Sequence, residues 1–192
     1  MTTNGSVLYL HGFLSSPESA KAQLLGKWLQ SKHPDIEFLC PELPNTPDKA
    51  IPYLDEYVTK LTALQGIVGS SMGGYYAHWL AQKYECKAVL INPAVNAADL
   101  LVGYLGDHIN PYTQIAFELN SGHMHDLRGI NVPLKPSDEL LVIVETGDET
   151  LDYRLAEAKY STANLIVEPG GNHSCQCFEK TLPAIADFLL NE

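Results

Sequence analysis

Gly69-Ser70-Ser71-Met72-Gly73-Gly74 sets a serine between small residues in the spacing G-x-S-x-G. It follows Gly66-Ile67-Val68, which reads as a short buried strand, and opens a segment with Tyr75, Tyr76, Ala77 and Trp79 that reads as a helix. A serine at a sharp strand-to-helix turn has a strained backbone, and its neighbours must be small to avoid collision, which accounts for the glycines at 69 and 73. Ser71 would project at the N-terminus of the helix, where the dipole and free amides favour the negative charge that develops in acyl transfer. The chemistry expected is attack of the hydroxyl on a carbonyl carbon. The competing reading is an ordinary glycine-rich turn.

A serine hydroxyl is a poor nucleophile at neutral pH and needs a base within hydrogen-bond reach. Of seven histidines, His173 follows an apolar run through Pro169-Gly170-Gly171-Asn172 and precedes the last helical pattern, so a loop can carry it over the serine. His11 is the rival, after the first apolar run, where a structural hydrogen-bonding role is expected. His33, His78, His108, His123 and His125 have no positional argument in their favour. The acid that orients the base is expected at Asp148, just past Leu141-Val142-Ile143-Val144-Glu145-Thr146-Gly147, with Asp152 and Glu145 as alternatives. The order serine, aspartate, histidine is that of the nucleophile-elbow hydrolases and differs from the chymotrypsin and subtilisin orders. Two backbone amides are placed to receive an oxyanion, those of Met72 and Phe13.

These residues must be positioned by a scaffold, and the apolar runs describe one. Strands are expected at 7–10, 36–39, 66–69, 88–91, 140–145 and 165–168, and helices at 18–31, 47–64, 72–84, 152–160 and 178–190. Short buried strands alternating with helices imply an α/β fold: a doubly wound, mostly parallel sheet of about six strands with flanking helices. One domain spanning 1–192 is expected. Residues 92–138 break the rhythm without a clear strand and are expected to form a small helical cap. Tyr104 and Phe117 are its candidate substrate-binding residues, with Tyr112, His123, Met124 and His125 nearby. The alternative is two packed helices and a loop, whose aromatic residues fill a core.

A formal net charge of −11 disfavours nucleic acid and anionic membrane surfaces as partners. Met1-Thr2-Thr3-Asn4-Gly5 has no basic leader, and no apolar run approaches the roughly 20 residues that span a bilayer. A soluble cytoplasmic location is expected. Cys40, Cys86, Cys175 and Cys177 fit neither a disulfide framework nor a four-cysteine zinc site, and reduced thiols are expected. Cys175 and Cys177, just after His173, stand out as a pair that would ligate metal or oxidise if they were more than loop packing.

Leu8-Tyr9-Leu10-His11-Gly12-Phe13, the turn at Ser71, Thr146-Gly147-Asp148-Glu149 and Gly170-Gly171-Asn172-His173-Ser174 together resemble the α/β-hydrolase superfamily over nearly the whole chain. More narrowly, His11-Gly12-Phe13-Leu14-Ser15-Ser16-Pro17, Ser70-Ser71-Met72-Gly73-Gly74-Tyr75-Tyr76-Ala77 and Asn110-Pro111-Tyr112-Thr113 resemble the YqiA-type bacterial esterases. The resemblance implies hydrolysis of a carboxylic ester or acyl thioester, with no cofactor and no metal. It also implies a six-stranded sheet lacking the superfamily's first two antiparallel strands. A small-molecule ester or thioester is the expected partner, cleaved through a Ser71 acyl-enzyme. The rival readings are a binding protein on the same fold and an acyltransferase using the same residues. A metal-dependent hydrolase using His123, His125 and Asp126 is a third.

Overall fold

The computed structural model describes residues 4–191. In chain order its elements are β1 (Gly5–Leu10), α1 (Ala20–Lys32), β2 (Ile36–Leu39), α2 (Pro47–Thr59), β3 (Leu64–Ser70), α3 (Met72–Tyr84), β4 (Ala88–Ile91), α4 (Ala97–Leu101), β5 (Gly106–Ile109), β6 (Ala116–Leu119), α5 (Ser121–Gly129), β7 (Leu140–Glu145), α6 (Tyr153–Lys159), β8 (Asn164–Glu168) and α7 (Phe178–Leu190). Six strands form one sheet in the order β2-β1-β3-β4-β7-β8, and every neighbouring pair is parallel.

Strand alternation divides the core in two. Along β1, Leu8 and Leu10 face one way and pack with Leu54 of α2, Leu80 of α3 and Ala156 of α6. Val7 and Tyr9 face the other way and pack with Leu25 and Leu29 of α1 and Leu182, Ile185 and Leu189 of α7. With both faces covered, β1, β4 and β7 are buried along their whole length, which explains why they read as unbroken apolar runs. Each fully buried aliphatic side chain stabilises the fold by about 1.5–3 kcal/mol relative to an exposed one.

The chain winds from β1 outward to β2, then returns past β1 to β3 and proceeds the other way to β8. The loops leaving β1 and β3 therefore diverge to opposite faces of the sheet, and a crevice opens between them at the C-terminal strand ends, where ligands bind in sheets of this type.

Two expectations require correction. The helix expected over 47–64 ends at Thr59, because Ala63 adopts a left-handed conformation (φ 57°) and Leu64 already belongs to β3. The stretch 92–138, expected to be helical without a strand, holds the antiparallel hairpin β5–β6, with His108 opposite Phe117, between the short helices α4 and α5. Its strands are four residues long and half exposed, so they lack the apolar run that marks a buried strand. Asn110 secures the hairpin's turn: its Oδ1 accepts from the Tyr112 amide at 2.9 Å, and its Nδ2 donates to Asn45 Oδ1 at 2.8 Å and to the Ser15 carbonyl at 3.2 Å. Among the described residues, no helix is long and apolar enough to cross a membrane.

Candidate active site

β3 runs straight into α3 through Ser71, whose backbone sits at φ 56° and ψ −119°. A non-glycine residue at positive φ costs free energy, and the surrounding contacts hold it there. A Cβ at Gly69 would drive into the Gly73 carbonyl, and one at Gly73 into the Leu10 carbonyl, so glycine at both positions lets β1, β3 and α3 converge at the turn. The Ser71 amide donates to the Ile91 carbonyl at 2.9 Å, and the Ser71 carbonyl accepts from Gly74 and Ala94. The serine is thereby fixed over the crevice.

His173 and Asp148 arrive from the two strands beyond β4. Asp148, just after β7, is almost completely enclosed, with 2 % of its side chain exposed. Its Oδ1 accepts from the amides of Thr150 and Leu151, each at 2.8 Å, and its Oδ2 lies 2.8 Å from His173 Nδ1. Burial raises the pKa of Asp148, but the hydrogen bonds from His173 and from the Leu151 and Thr150 amides outweigh it and hold the carboxyl below its ordinary value. An ionised carboxylate only accepts, so Nδ1 of His173 carries the proton and donates it. Nε2 is then free to accept from the Ser71 hydroxyl, 3.1 Å away. The structure thus brings Ser71, His173 and Asp148 into one hydrogen-bonded chain.

The loop that carries His173 is anchored by Glu145, which the sequence offered only as an alternative acid, and by Asn92, which it did not single out. Glu145, at the end of β7 and 2 % exposed, accepts from the amides of Asn172 (2.7 Å), Gln176 (3.0 Å) and Cys177 (2.5 Å). Burial pushes its pKa up, and these amides together bring it below the ordinary value. Asn92, just after β4, accepts from the Glu145 amide at 3.0 Å and donates to the Asn172 carbonyl at 3.2 Å. The signal for Glu145 was present: a charged residue closes an otherwise apolar strand, where a carboxylate needs partners to be buried. Nothing in the sequence marks Asn92.

The thiols of Cys175 and Cys177 lie 3.4 Å apart beside Glu145, and these three residues are a grouping of metal-ligand types within 4.8 Å of one another. Burial pushes the Cys175 thiol up to about 11 and the Cys177 thiol higher still, and the Glu145 oxygens are already taken up by three amides. In this structure the three side chains pack the loop behind His173, with Glu145 holding its backbone amides. His123 is engaged elsewhere, accepting from the Asn120 amide through Nδ1 and facing Asp48 at 3.2 Å through Nε2.

His11 is buried and bridges two loops. Its Nε2 accepts from the Leu43 amide at 3.1 Å, so Nδ1 carries the proton and donates to the Gly12 carbonyl at 3.0 Å. This holds the turn after β1 against Ser71, close enough that a Cβ on Gly12 would lie 3.4 Å from that of Ser71. The amides of Phe13 and Met72 donate to no other group among the described residues. Tyr104 and Phe117 pack edge-on against the Phe13 ring, with centroids 5.6 and 6.1 Å away. A cavity of about 260 Å³ next to Ser71 and His173 is lined instead by Tyr112 of the insertion, with Phe13, Ser15, Ser19 and Lys21 from the β1–α1 region. A larger depression over α1 and β2 touches none of these residues.

Known structures share this architecture. Est1E from Butyrivibrio proteoclasticus superposes with a TM-score of 0.75 at 17 % identity, covering 99 % of this chain and 88 % of that one. Alpha/beta hydrolase domain-containing protein 10 from mouse gives 0.73 at 14 % identity, over 100 % and 91 % of the two chains. A soluble variant of monoglyceride lipase from Saccharomyces cerevisiae gives 0.69 at 14 % identity, over 98 % and 87 %. The fold is that of the α/β hydrolases, as the motifs implied. Residues 6–190 match the model of the uncharacterised protein family UPF0227, and the chain belongs to that family.

Proposed function

We propose that the protein is a serine hydrolase that cleaves carboxylic esters or acyl thioesters through an acyl-enzyme on Ser71. The observation that carries this reading is the unbroken chain from Ser71 Oγ to His173 Nε2 and from His173 Nδ1 to Asp148 Oδ2, at 3.1 and 2.8 Å. In the mechanism, His173 takes the Ser71 proton as Oγ attacks the carbonyl carbon. The tetrahedral oxyanion lies against the amides of Phe13 and Met72. His173 returns the proton to the leaving oxygen or sulfur, and water, activated by the same imidazole, releases the acid. Asp148 keeps the imidazole in the tautomer that accepts at Nε2 and stabilises the imidazolium that forms.

Residues 92–138 act as a small cap in this reading, with Tyr104 and Phe117 shaping the acyl side by fixing Phe13. The structures that share the fold include Est1E with bound ferulic acid and the yeast lipase with a substrate analog, which supports a small-molecule substrate on this scaffold. A cytoplasmic location belongs to the same proposal and rests on the four cysteines, all of them free thiols.

Labelling with a fluorophosphonate probe tests the assignment. The wild type is expected to be modified at Ser71 alone, located by peptide mapping, and Ser71→Ala to be unlabelled and to lose ester turnover by three or more orders of magnitude. A folded wild type that takes no label, or Ser71→Ala with near-normal turnover in a contaminant-free sample, would overturn it.

A further inference from the structure

The lining of the cavity beside Ser71 differs from the acidic balance of the chain as a whole. The chain carries 23 acidic and 12 basic residues, yet no carboxylate lines this cavity, and Lys21 is its one permanent cation among the described residues. Lys21 Nζ donates to the Ser174 carbonyl at 3.0 Å, next to His173, and two of its three N–H bonds remain for another acceptor. Burial pushes its pKa down, against the pull of Cys175, Asp148 and Glu145 nearby. Ser19 also lines the cavity, and its hydroxyl, shielded from water, has no hydrogen-bond partner among the described residues. Ser19 is the residue before α1, a helix of 13 residues whose first turn carries no acidic side chain and no side-chain cap. A cation, an unpartnered hydroxyl and open amides at one wall recognise an anion.

The side of the scissile bond follows from His173, which lines the same cavity. The proton it removes from Ser71 must be delivered to the departing atom, so the leaving group occupies the space between His173, Ser174 and Lys21. Resting on the serine-hydrolase reading above, we infer that the substrate's leaving alcohol or thiol bears an anionic group, a carboxylate or a phosphate, held by Lys21, the Ser19 hydroxyl and the amides that open α1. In the step itself the bond from Ser71 Oγ to the acyl carbon forms and the bond from that carbon to the leaving oxygen or sulfur breaks. The Ser71 proton passes through His173 to the leaving atom, while the remote anion keeps its charge throughout.

The test compares three acetyl esters of similar size: 3-acetoxybenzoate, its neutral methyl ester and 3-acetoxyphenyl phosphate. On the wild type at least one anionic ester should exceed the methyl ester roughly tenfold or more in kcat/KM, the size expected for charge-assisted hydrogen bonds. Which anion leads separates a carboxylate from a phosphate. Lys21→Met should collapse the anion-to-neutral ratio about tenfold, and Lys21→Arg should restore most of it. A neutral ester cleaved as well as both anions, or a ratio unmoved by Lys21→Met, overturns the inference.

Calorimetric titration of Ser71→Ala with 3-hydroxybenzoate and 3-hydroxyphenyl phosphate separates this result from the parent reading. Binding that Lys21→Met abolishes supports the cavity assignment even if Ser71 takes no fluorophosphonate. No binding of either anion, with Ser71 labelled normally, sinks the anion site alone.

Discussion

The strand-end loops around His173 and the hairpin insertion are built on opposite principles. Between Glu145 and Cys177, polar groups are buried and matched: Asp148 accepts three hydrogen bonds, Glu145 accepts three more, and Asn92 ties both strand ends to the histidine loop. Fully satisfied buried networks of this kind rigidify, because every displacement leaves a group unpaired at a cost of about 1–3 kcal/mol. The insertion instead exposes apolar side chains around its hairpin, among them Leu100, Val102, Tyr104, Leu105, Ile109, Tyr112 and Ile115, while Leu101, Leu119, Met124 and Leu127 anchor its base in the core and Asn110 and the rings around Phe13 fasten the hairpin itself. One region fixes the proposed reacting atoms and the other presents an exposed apolar surface, with Tyr112 reaching the cavity beside them. Substitutions in the first should therefore act on turnover, and those in the second on substrate choice.

The largest effect should come from Asp148→Asn. An amide at this position favours the wrong imidazole tautomer, and kcat for ester hydrolysis should fall about 10³–10⁴-fold with KM little changed. An activity within tenfold of wild type would break the comparison at its strongest point.

Glu145→Gln should lower kcat about 10–100-fold at nearly constant KM, since it loosens the histidine's loop without touching substrate; a rise in KM alone would place Glu145 in binding instead. Its stability should depend on pH in a defined direction. The folded-state pKa of Glu145 lies below its ordinary 4.5, so its ionised form stabilises the wild type fully above that value and progressively less as pH falls through the lower, folded value. Thermal unfolding of wild type and Glu145→Gln should differ most near neutrality and converge toward pH 3; a difference that persists there would show that charge is not what the amides hold.

The smallest effect should follow Tyr104→Ala with Phe117→Ala. Removing the rings that pack on Phe13 should change KM and acyl-chain preference a few-fold, with kcat within about threefold, in assays over a series of chain lengths. A loss comparable to that of Glu145→Gln would mean that the insertion positions the reacting groups too.

The same contrast explains what could be read from the sequence. Strands β4 and β7 lie where periodicity put them because burial on both faces leaves an apolar signature, and helices α3 and α7 because apolar side chains recur along the side that packs on the sheet. Ser71, Asp148 and His173 were legible because each follows a strand in a required order. The hairpin was not, since four exposed or half-exposed residues per strand carry no apolar alternation long enough to register. Asn92 escaped for a different reason: its role depends on three chain segments meeting, and no local pattern records a meeting of residues 80 apart. Tyr112 likewise reaches the cavity through the hairpin's turn, which only the fold reveals.

Strand β8 is the last of the six and occupies the outer edge of the sheet, and the histidine behind it must cross to a serine 102 residues earlier. A chain made from its N-terminus can assemble β1 to β4 and the turn at Ser71 while the segment bearing His173 is still to be synthesised. Under the proposed mechanism the serine is then present during translation without its base, and the nascent chain holds no activated nucleophile. Activity should switch on only when β8 has docked, so a chain stopped before residue 164 would carry the whole nucleophile turn and still label no faster than an ordinary serine.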